Sequence, residues 1–522
     1  MKKVYTFLMA LMLTIVAEAQ TLNVKVGSVT YQFPAAQTGE MTYSDGTTLT
    51  IMGKTFTLSD ITKMVVDETT VTDSQIKVDY EGTTAQVTVA GNIAQYVTPT
   101  VSGAHVSIAQ SDDVAEEITY TLSGNSTDGE FYMSGSYKAT VELNGLTLTN
   151  ATPVYSGAAV HIQNGKRIKV KVCNGTTNTL KDAASGSQKG CLYIKGHAEF
   201  AQKGTLNIIG NVKHGIKAGE YITIKNATIN VTKAVGDGIS CNEYFLMESG
   251  TVTISGVGDE GIQCELDGTT STGETTDHEE EDSGNIYIEG GTISVTNTVG
   301  EGIESKGALT ITGGHVTVTA KDDAINSAKD LTVSGGYVYA RSTGNDGLDA
   351  NGNLYIKGGL VYAIGTTAPE KSIDANTEEG KKLYITGGTI IAVGDLENGA
   401  SISGGTCKYT SSWTESAWYA LYNGGTLVAA FKTPTKSTGG GGWPAPDAFG
   451  GPDAFGGPGG GGPGGGGSQK LIVYTSSTPT LQSGVTVTDG TEYFDGMANI
   501  GGTVSNGSNV TLSNYSSGGG WW

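Results

Sequence analysis

Positive charge is scarce in this sequence. Its 522 residues include 31 Lys and Arg against 52 Asp and Glu, so the formal net charge is −21. A surface of this charge repels nucleic acid and anionic membranes, which excludes both as direct partners. A polyanionic ligand would bind it only through a bridging cation. Long apolar runs are also lacking after residue 17, so we expect no membrane insertion.

Cysteine is sparse as well. The five Cys are an odd number and do not form the framework of a small disulfide-rich protein. What the sequence does contain is Thr, Ser, Val, Ile and Tyr beside 79 Gly. This composition is typical of strands and turns rather than helices.

The N-terminus has the pattern of a secretory signal peptide. Lys2 and Lys3 precede an apolar run at 4–17 that is too short to span a membrane, and Ala17-Glu18-Ala19 is a typical cleavage site. We therefore expect residues 1–19 to be removed and the protein to be secreted, either to the medium or to the cell surface.

Internal repeats dominate the middle of the chain. The segments read HGIKAG at Ile216, DGISCN at Ile239, EGIQCE at Ile262, EGIESK at Ile303, DAINSA at Ile325, DGLDAN at Leu348 and KSIDAN at Ile373. Successive aliphatic residues are 23, 23, 41, 22, 23 and 25 positions apart, and the long interval fits one repeat with an 18-residue acidic insertion. AAVHI at Val160 and GCLYI at Leu192 extend the series towards the N-terminus.

Each repeat contains two more short runs with period-2 alternation, such as LTVSGG and YVYA. Three short strands in 22–23 residues, without helices, predict an all-β chain folded as a right-handed parallel β-helix. Equivalent residues would then stack about 4.8 Å apart. Cys241 and Cys264 would be stacked inward neighbours, and we expect buried free thiols there, with a disulfide as the alternative.

The predicted segments follow from this pattern. They are a signal peptide at 1–19, a small β unit at 20–68, a capping β segment at 69–117, the β-helix at 118–435, a Gly/Pro-rich disordered loop at 436–468, a C-terminal β segment at 469–510 and a tail at 511–522.

Acidic and amide side chains occupy the positions beside the stacked aliphatic residues. Stacked carboxylates repel one another, so acids kept in register indicate a compensating cation, although solvation of an exposed column is the alternative. Hard oxygen ligands favour calcium. The candidate ligands are Asp237, Asp259, Glu260, Glu301, Glu304, Asp322, Asp323, Asn326, Asn345, Asp346, Asp349 and Asp374.

These repeats resemble a family of secreted carbohydrate-binding parallel β-helices related to calcium-dependent pectate lyases. The resemblance covers 118–435 and 468–510, and lies in TYTLSG (119–124), VELNGLTLTN (141–150), GTTNTLKD (175–182), GDGISCN (236–242), KDDAINSAKDLTVSGG (321–336), GNDGLDANGNLYIKGG (344–359) and SQKLIVYTSS (468–477). It implies calcium held between repeats and binding of acidic plant cell-wall polysaccharide such as polygalacturonate or pectin.

Three functions remain open at this point. A binding protein is favoured, with Tyr339, Tyr362, Tyr355 and Tyr384 as outward rings that either stack on sugars or only stabilise the sheet. A lyase would need a base of lowered pKa, for which the candidates are Lys306, Lys321, Lys329 and Arg341. The third possibility is a structural surface adhesin. In each case we expect a monomer.

Overall fold

In a computed structural model, residues 20–39, 41–266, 282–296, 299–436 and 469–517 are described. They form two compact units, Met1–Thr292 and Ile293–Trp522. The predicted signal peptide, most of the Gly/Pro-rich loop and the last five residues of the tail lie outside the described residues. Among the described residues, no helix has both the length and the apolarity needed to cross a membrane.

The first unit is built almost entirely of strands. They are β1 (Thr21–Val26), β2 (Val29–Pro34), β3 (Thr42–Ser44), β4 (Thr48–Ile51), β5 (Lys54–Thr57), β6 (Ile61–Asp67), β7 (Gln75–Glu81), β8 (Thr84–Ala90), β9 (Val97–Ser102), β10 (Ala104–Gln110), β11 (Ile118–Ser126), β12 (Gly129–Ser134), β13 (Ala139–Thr149), β14 (Val160–Gln163), β15 (Ile168–Val172), β16 (Thr177–Lys181), β17 (Gly190–Ile194), β18 (Ala198–Ala201), β19 (Thr205–Ile209), β20 (His214–Ala218), β21 (Ile222–Ile224), β22 (Thr228–Lys233), β23 (Ile239–Cys241), β24 (Tyr244–Met247), β25 (Thr251–Ser255), β26 (Ile262–Cys264), β27 (Asn285–Ile288) and β28 (Thr292–Thr296), the last of which begins at the final residue of this unit.

The second unit is likewise all-β. Its strands are β29 (Ile303–Ser305), β30 (Leu309–Ile311), β31 (His315–Ala320), β32 (Ile325–Ser327), β33 (Leu331–Val333), β34 (Tyr337–Ser342), β35 (Leu348–Ala350), β36 (Leu354–Ile356), β37 (Leu360–Ile364), β38 (Leu383–Ile385), β39 (Thr389–Gly394), β40 (Ser401–Ile402), β41 (Thr406–Thr410), β42 (Trp418–Asn423), β43 (Thr426–Lys432), β44 (Lys470–Thr475), β45 (Pro479–Ser483), β46 (Thr486–Thr488), β47 (Thr491–Tyr493), β48 (Ala498–Ile500), β49 (Thr503–Ser505), β50 (Ser508–Asn509) and β51 (Ser513–Asn514). Short 3₁₀ turns at Ala35–Gln37, Leu58–Asp60, Gly91–Tyr96 and Thr377–Glu379 are the helical elements of the described chain.

The repeats of the first unit pair in parallel, one residue opposite its equivalent. Ile216 of β20 lies opposite Ile239 of β23, which lies opposite Ile262 of β26. The other two strands of each repeat do the same, since β21 pairs with β24 and β22 with β25. The predicted register is therefore confirmed here. The sheets of the unit are mixed, however, because β1 and β2 pair antiparallel, and β2 pairs in parallel with β8.

The second unit keeps the same register. Ile325 of β32 lies opposite Leu348 of β35, and Leu348 forms a parallel bridge to Ile373. All three side chains are fully buried. Towards the C-terminus pairing becomes antiparallel: β42 pairs with β43, and β44 lies between β39 and β41. The all-β prediction is confirmed, with several sheets of mixed direction.

The small inward positions are also where the register predicts them. Cys241 and Cys264 are paired neighbours and are fully buried. Both are free thiols, as are the other three Cys of the chain. The buried-thiol interpretation is confirmed, and no disulfide joins these two strands.

A glycine pair turns the chain between the second and third strand of a repeat. Gly336 has φ +77°, a left-handed conformation that residues with a side chain rarely adopt. A Cβ there would lie 2.7 Å from the carbonyl carbon of Gly313, in the turn of the preceding repeat. The second Gly of LTVSGG is thus required by both backbone conformation and close stacking.

The expected exposure of Tyr339 and Tyr362 is wrong. Tyr339 is 2% exposed and Tyr362 is fully buried. Their side of β34 and β37 is covered, since the Tyr339 ring stacks on Phe494 and the Tyr362 ring packs edge-on against Phe431 of β43. The Tyr362 hydroxyl donates a 2.8 Å hydrogen bond to the Lys432 carbonyl. These two rings belong to a core between the repeats and the C-terminal strands of this unit, and they are not available to a sugar.

Replacing Tyr362 tests this core. Tyr362→Ala should lower the free energy of unfolding by about 3–5 kcal/mol, because it leaves a large cavity under the covering strands. Tyr362→Phe should cost about 1 kcal/mol, because it removes only the hydrogen bond. Urea unfolding measures both, with the half-buried Tyr355→Ala as control. A cost for Tyr362→Ala no larger than that of the control would contradict the buried position.

Candidate functional site

Three-residue strands position the acidic groups of the second unit. In β32 and β35 the first and third residues, Ile325 with Ser327 and Leu348 with Ala350, are buried and leave the middle residue on the other face. The middle residues are Asn326 and Asp349, which lie opposite each other. Asp323 and Asp346 precede the two strands at equivalent positions. The fold therefore gathers oxygen-bearing side chains from successive repeats on one side.

Asp346, Asp349 and Asp374 form the main group, here called the C-terminal carboxylate group. One oxygen of each lies within 4.8 Å of the others. Backbone amides fix part of the group. The amide of Asp346 donates to Asp323 Oδ1 at 2.9 Å, and the amide of Lys371 donates to Asp346 Oδ1.

These carboxyls are more buried than the sequence predicts. Asp323 is 5% and Asp346 is 7% exposed. Burial, followed by the charge of Asp349, raises the pKa of Asp323 to about 9. Burial likewise raises the pKa of Asp346 to about 7 and that of Asp349 to about 6. The predicted outward column of acids is thus not simply solvated. Ionising these carboxyls costs free energy unless a positive charge compensates them.

Asp374 has a partner that the sequence did not reveal. Burial and a hydrogen bond with Glu397 raise the pKa of Asp374. Glu397 is 4% exposed and its Oε1 accepts a 2.9 Å hydrogen bond from the Thr377 hydroxyl. The two acids are 23 residues apart, so the repeat interval alone could have indicated Glu397.

The donor chemistry of the C-terminal carboxylate group fits a hard cation. An ion about 2.4 Å from each ligand joins oxygens up to about 4.8 Å apart, and the three oxygens lie within that limit. The Asn326 amide oxygen, on the residue opposite Asp349, is buried and accepts no hydrogen bond within the described structure. A buried acceptor without a donor costs free energy, and a cation can satisfy it. The group can therefore hold a metal ion.

The first unit has a second group of predicted ligands, Asp237, Asp259 and Glu260, whose oxygens also lie within 4.8 Å. Asp237 is 1% exposed, whereas Asp259 is exposed. His214 Nδ1 accepts the Asp237 amide at 3.1 Å and lies 3.1 Å from Asp237 Oδ2. Burial and the Asp237 charge raise the pKa of Glu260. Burial opposes ionisation of Asp237 too, but His214 and Glu260 outweigh it and lower its pKa. A proton on Glu260 can therefore remove one of the three negative charges of this group without a metal.

Other predicted ligands lie outside both groups. Glu304 pairs with Lys306, with Oε1 and Nζ 2.5 Å apart. Asn345 donates to Asp322 Oδ1 at 2.8 Å, so this pair satisfies itself. Glu301 is half-buried, and the structure does not bring it into the C-terminal carboxylate group.

The predicted lyase bases lie in different surroundings. Lys306 is held by Glu304. Lys321 and Lys329 are exposed, and Arg341 is half-buried near the end of β34.

Tyr355 and Tyr384 remain candidates for sugar contact. Their rings stack almost parallel, 5.1 Å apart with an interplanar angle of 9°, and both are half-buried. Lys357 lies 4.8 Å above the Tyr355 ring. The pair fits either a sugar platform or a ladder that stabilises the sheet.

The sequence reasoning missed one group of acids with a histidine. His197 Nε2 lies 2.9 Å from Glu220 Oε2 and 3.5 Å from Glu243 Oε2, and His197 is fully buried. The three residues are spaced by 23, the repeat length. The positions beside the stacked aliphatic residues do not include this column, which lies just before another strand of the repeat.

An aromatic column was missed as well. The rings of Tyr132, His161 and Tyr193 follow one another at 4.7 and 4.8 Å, each pair edge-on. They occupy equivalent positions of β12, β14 and β17. His161 and Tyr193 directly follow the aliphatic residues Val160 and Leu192. The repeat pattern, extended to these two residues, therefore already indicates two of the three rings.

One comparison with known proteins identifies a family for this chain. The family described as carbohydrate-binding domain-containing protein matches residues 102–301 and 283–427, together more than half of the chain. The chain therefore belongs to this family. A solved structure of a polysaccharide lyase-like protein from C. thermocellum, a gadolinium derivative, is similar at 22% identity with a TM-score of 0.39, covering 54% of this chain and 96% of that one. A search of curated proteins finds no match.

The raised pKa values predict a pH dependence in the absence of divalent cations. A carboxyl with a raised pKa contributes stability below its unfolded pKa of about 4, and that contribution is lost as pH rises through the folded values of about 6–9. With chelator present, the thermal midpoint should fall between pH 5 and pH 9. The double variant Asp323→Asn/Asp346→Asn should show a flatter profile. Equal slopes for the two proteins would show that these acids do not cause the decline.

Proposed function

We propose that this is a secreted, calcium-dependent protein that binds acidic plant cell-wall polysaccharide such as polygalacturonate. Membership of the carbohydrate-binding family supports the glycan. The single observation that supports the cation is the C-terminal carboxylate group, whose three acids are buried (Asp346) or half-buried (Asp349 and Asp374) and have raised pKa values. The parallel pairing of successive repeats supports a right-handed parallel β-helix as the scaffold.

Asp346, Asp349 and Asp374 would hold the ion, with the Asn326 oxygen as a neutral ligand. When bound, calcium supplies a positive centre that accepts further oxygen ligands, including a uronate carboxylate. The chain itself keeps the acids in place. The Lys371 amide orients Asp346, and the Asp346 amide orients Asp323. Glu397, through its hydrogen bond with Asp374, positions the third ligand.

This arrangement explains how a chain of net charge −21 can retain a polyanion. Without a cation, the acidic face would repel uronate groups. Because an ion between Asp346, Asp349 and Asp374 takes only part of its coordination from protein, glycan oxygens can complete it. Binding by this route requires calcium and a free uronate carboxylate.

Glycan affinity measured with and without calcium tests the proposal. The protein should bind polygalacturonate in the presence of calcium and release it with chelator. Asp346→Asn/Asp349→Asn should weaken binding by at least about tenfold, since it removes two charged ligands. Asp489→Asn/Glu492→Gln removes the same charge at exposed positions of this unit and should bind as the unmodified protein does.

Three results would contradict the proposal. Glycan binding that persists unchanged in chelator would remove calcium from the mechanism. Calcium-dependent release of unsaturated sugar products during the binding assay would make the protein a lyase instead. No binding to any glycan tested would leave only the structural adhesin.

A further inference from the structure

A groove at the end of β34 and β37 has the opposite charge to the rest of the protein. Its volume is about 220 Å³, and it is lined by Arg341, Thr343, Thr366, Lys436 and Gln469, among others. All of these residues belong to the second unit. Two cationic side chains in one groove are notable because acids outnumber Lys and Arg by 52 to 31 in this chain.

Neither cation has a carboxylate partner among the described residues. The ion pairs that Lys and Arg form there belong to other residues, namely Arg167, Lys171, Lys225, Lys306 and Lys470. Glu415 lies near Lys436, but it accepts its 3.0 Å hydrogen bond from the backbone amide. The Lys436 ammonium lies 4.8 Å above the Trp413 ring. Arg341 makes a side-chain hydrogen bond with Tyr339, but within the described residues neither positive charge is paired with an acid, so both can attract an anionic ligand.

Hydrogen bonds hold the groove wall in place. The Gln469 side chain donates to the Gly365 carbonyl at 3.1 Å, and the Thr366 amide donates to the Asn345 carbonyl at 3.1 Å. The Ser342 hydroxyl donates to the Asp322 carbonyl at 2.6 Å and accepts from the Asn345 amide at 2.7 Å. A preformed wall loses little conformational entropy when a ligand binds.

The same hydrogen bonds connect the groove to the C-terminal carboxylate group. Asn345, to which the groove residue Thr366 is bonded, directly precedes the candidate metal ligand Asp346. The turn at 343–346 therefore has groove residues at one end and a metal ligand at the other. A polysaccharide held at the proposed metal site would therefore pass next to the groove.

We propose that this groove is an anion subsite that binds a negatively charged group of the same glycan, one or a few sugars from the metal. The inference rests on the proposed function. Arg341 presents a planar guanidinium that pairs with both oxygens of a carboxylate or a sulfate ester, and Lys436 adds a second positive charge. The guanidinium stays protonated at neutral pH, which suits it to this role and not to that of a lyase base.

The test compares Arg341→Gln/Lys436→Gln with the unmodified protein by calorimetry in calcium, using polygalacturonate, a sulfated dextran and neutral dextran. Affinity for the anionic glycan should fall about tenfold or more, with no change for neutral dextran. Lys381→Gln/Lys382→Gln removes the same charge from the turn before β38, outside the groove, and should leave affinity unchanged.

Measurements on the three glycans distinguish the possible results. A loss on polygalacturonate assigns the subsite to uronate carboxylates, and a loss confined to the sulfated dextran assigns it to sulfate esters. Normal polygalacturonate binding by the double variant, with no loss on either anionic glycan, would overturn the subsite while leaving the proposed function intact. Failure of the unmodified protein to bind any anionic glycan would instead overturn the proposed function.

Discussion

Parallel pairing in register is the constraint on which the rest of this structure depends. It brings each residue next to its equivalent in the following repeat, as for Ile325 and Leu348, at the spacing of neighbouring strands. For aliphatic residues this is favourable, because every repeat buries the same position against the last. For acids it is unfavourable. Two carboxylates about 4.8 Å apart repel by about 1 kcal/mol in water and by about 3–4 kcal/mol at an effective dielectric of 20.

The structure relieves this repulsion in different ways at different repeats. Backbone amides donate to Asp323 and Asp346. His197 lies between two glutamates of its column, and Lys306 pairs with Glu304. Where such contacts do not remove the repulsion, burial raises the pKa of a carboxyl, as for Asp323 and Glu260. A bound proton then removes its negative charge. A cation bound between carboxylates relieves the same repulsion as that proton does.

The features that repeat along the chain could be predicted from the sequence. The aliphatic positions set the register, and the small buried residues such as Cys241 and Cys264 followed from it. Alternation with period 2 shows only on which side of its sheet a residue lies. It cannot show what covers that side. Tyr339 and Tyr362 were assigned to the correct side, but Phe431 and Phe494, far along the chain, bury them.

The two groups of carboxylates differ in how completely the protein itself neutralises them. Asp237 has His214 beside it and shares a hydrogen bond with Glu260, so a histidine and a proton compete with any cation there. In the C-terminal carboxylate group the ligands are all oxygens, and the Asn326 oxygen lacks a donor within the described structure. A bound cation stabilises a group of carboxylates most where the protein itself supplies least positive charge. The same reasoning applies with opposite sign to Arg341 and Lys436, which form no ion pair with an acid within the described residues and can therefore attract an anion.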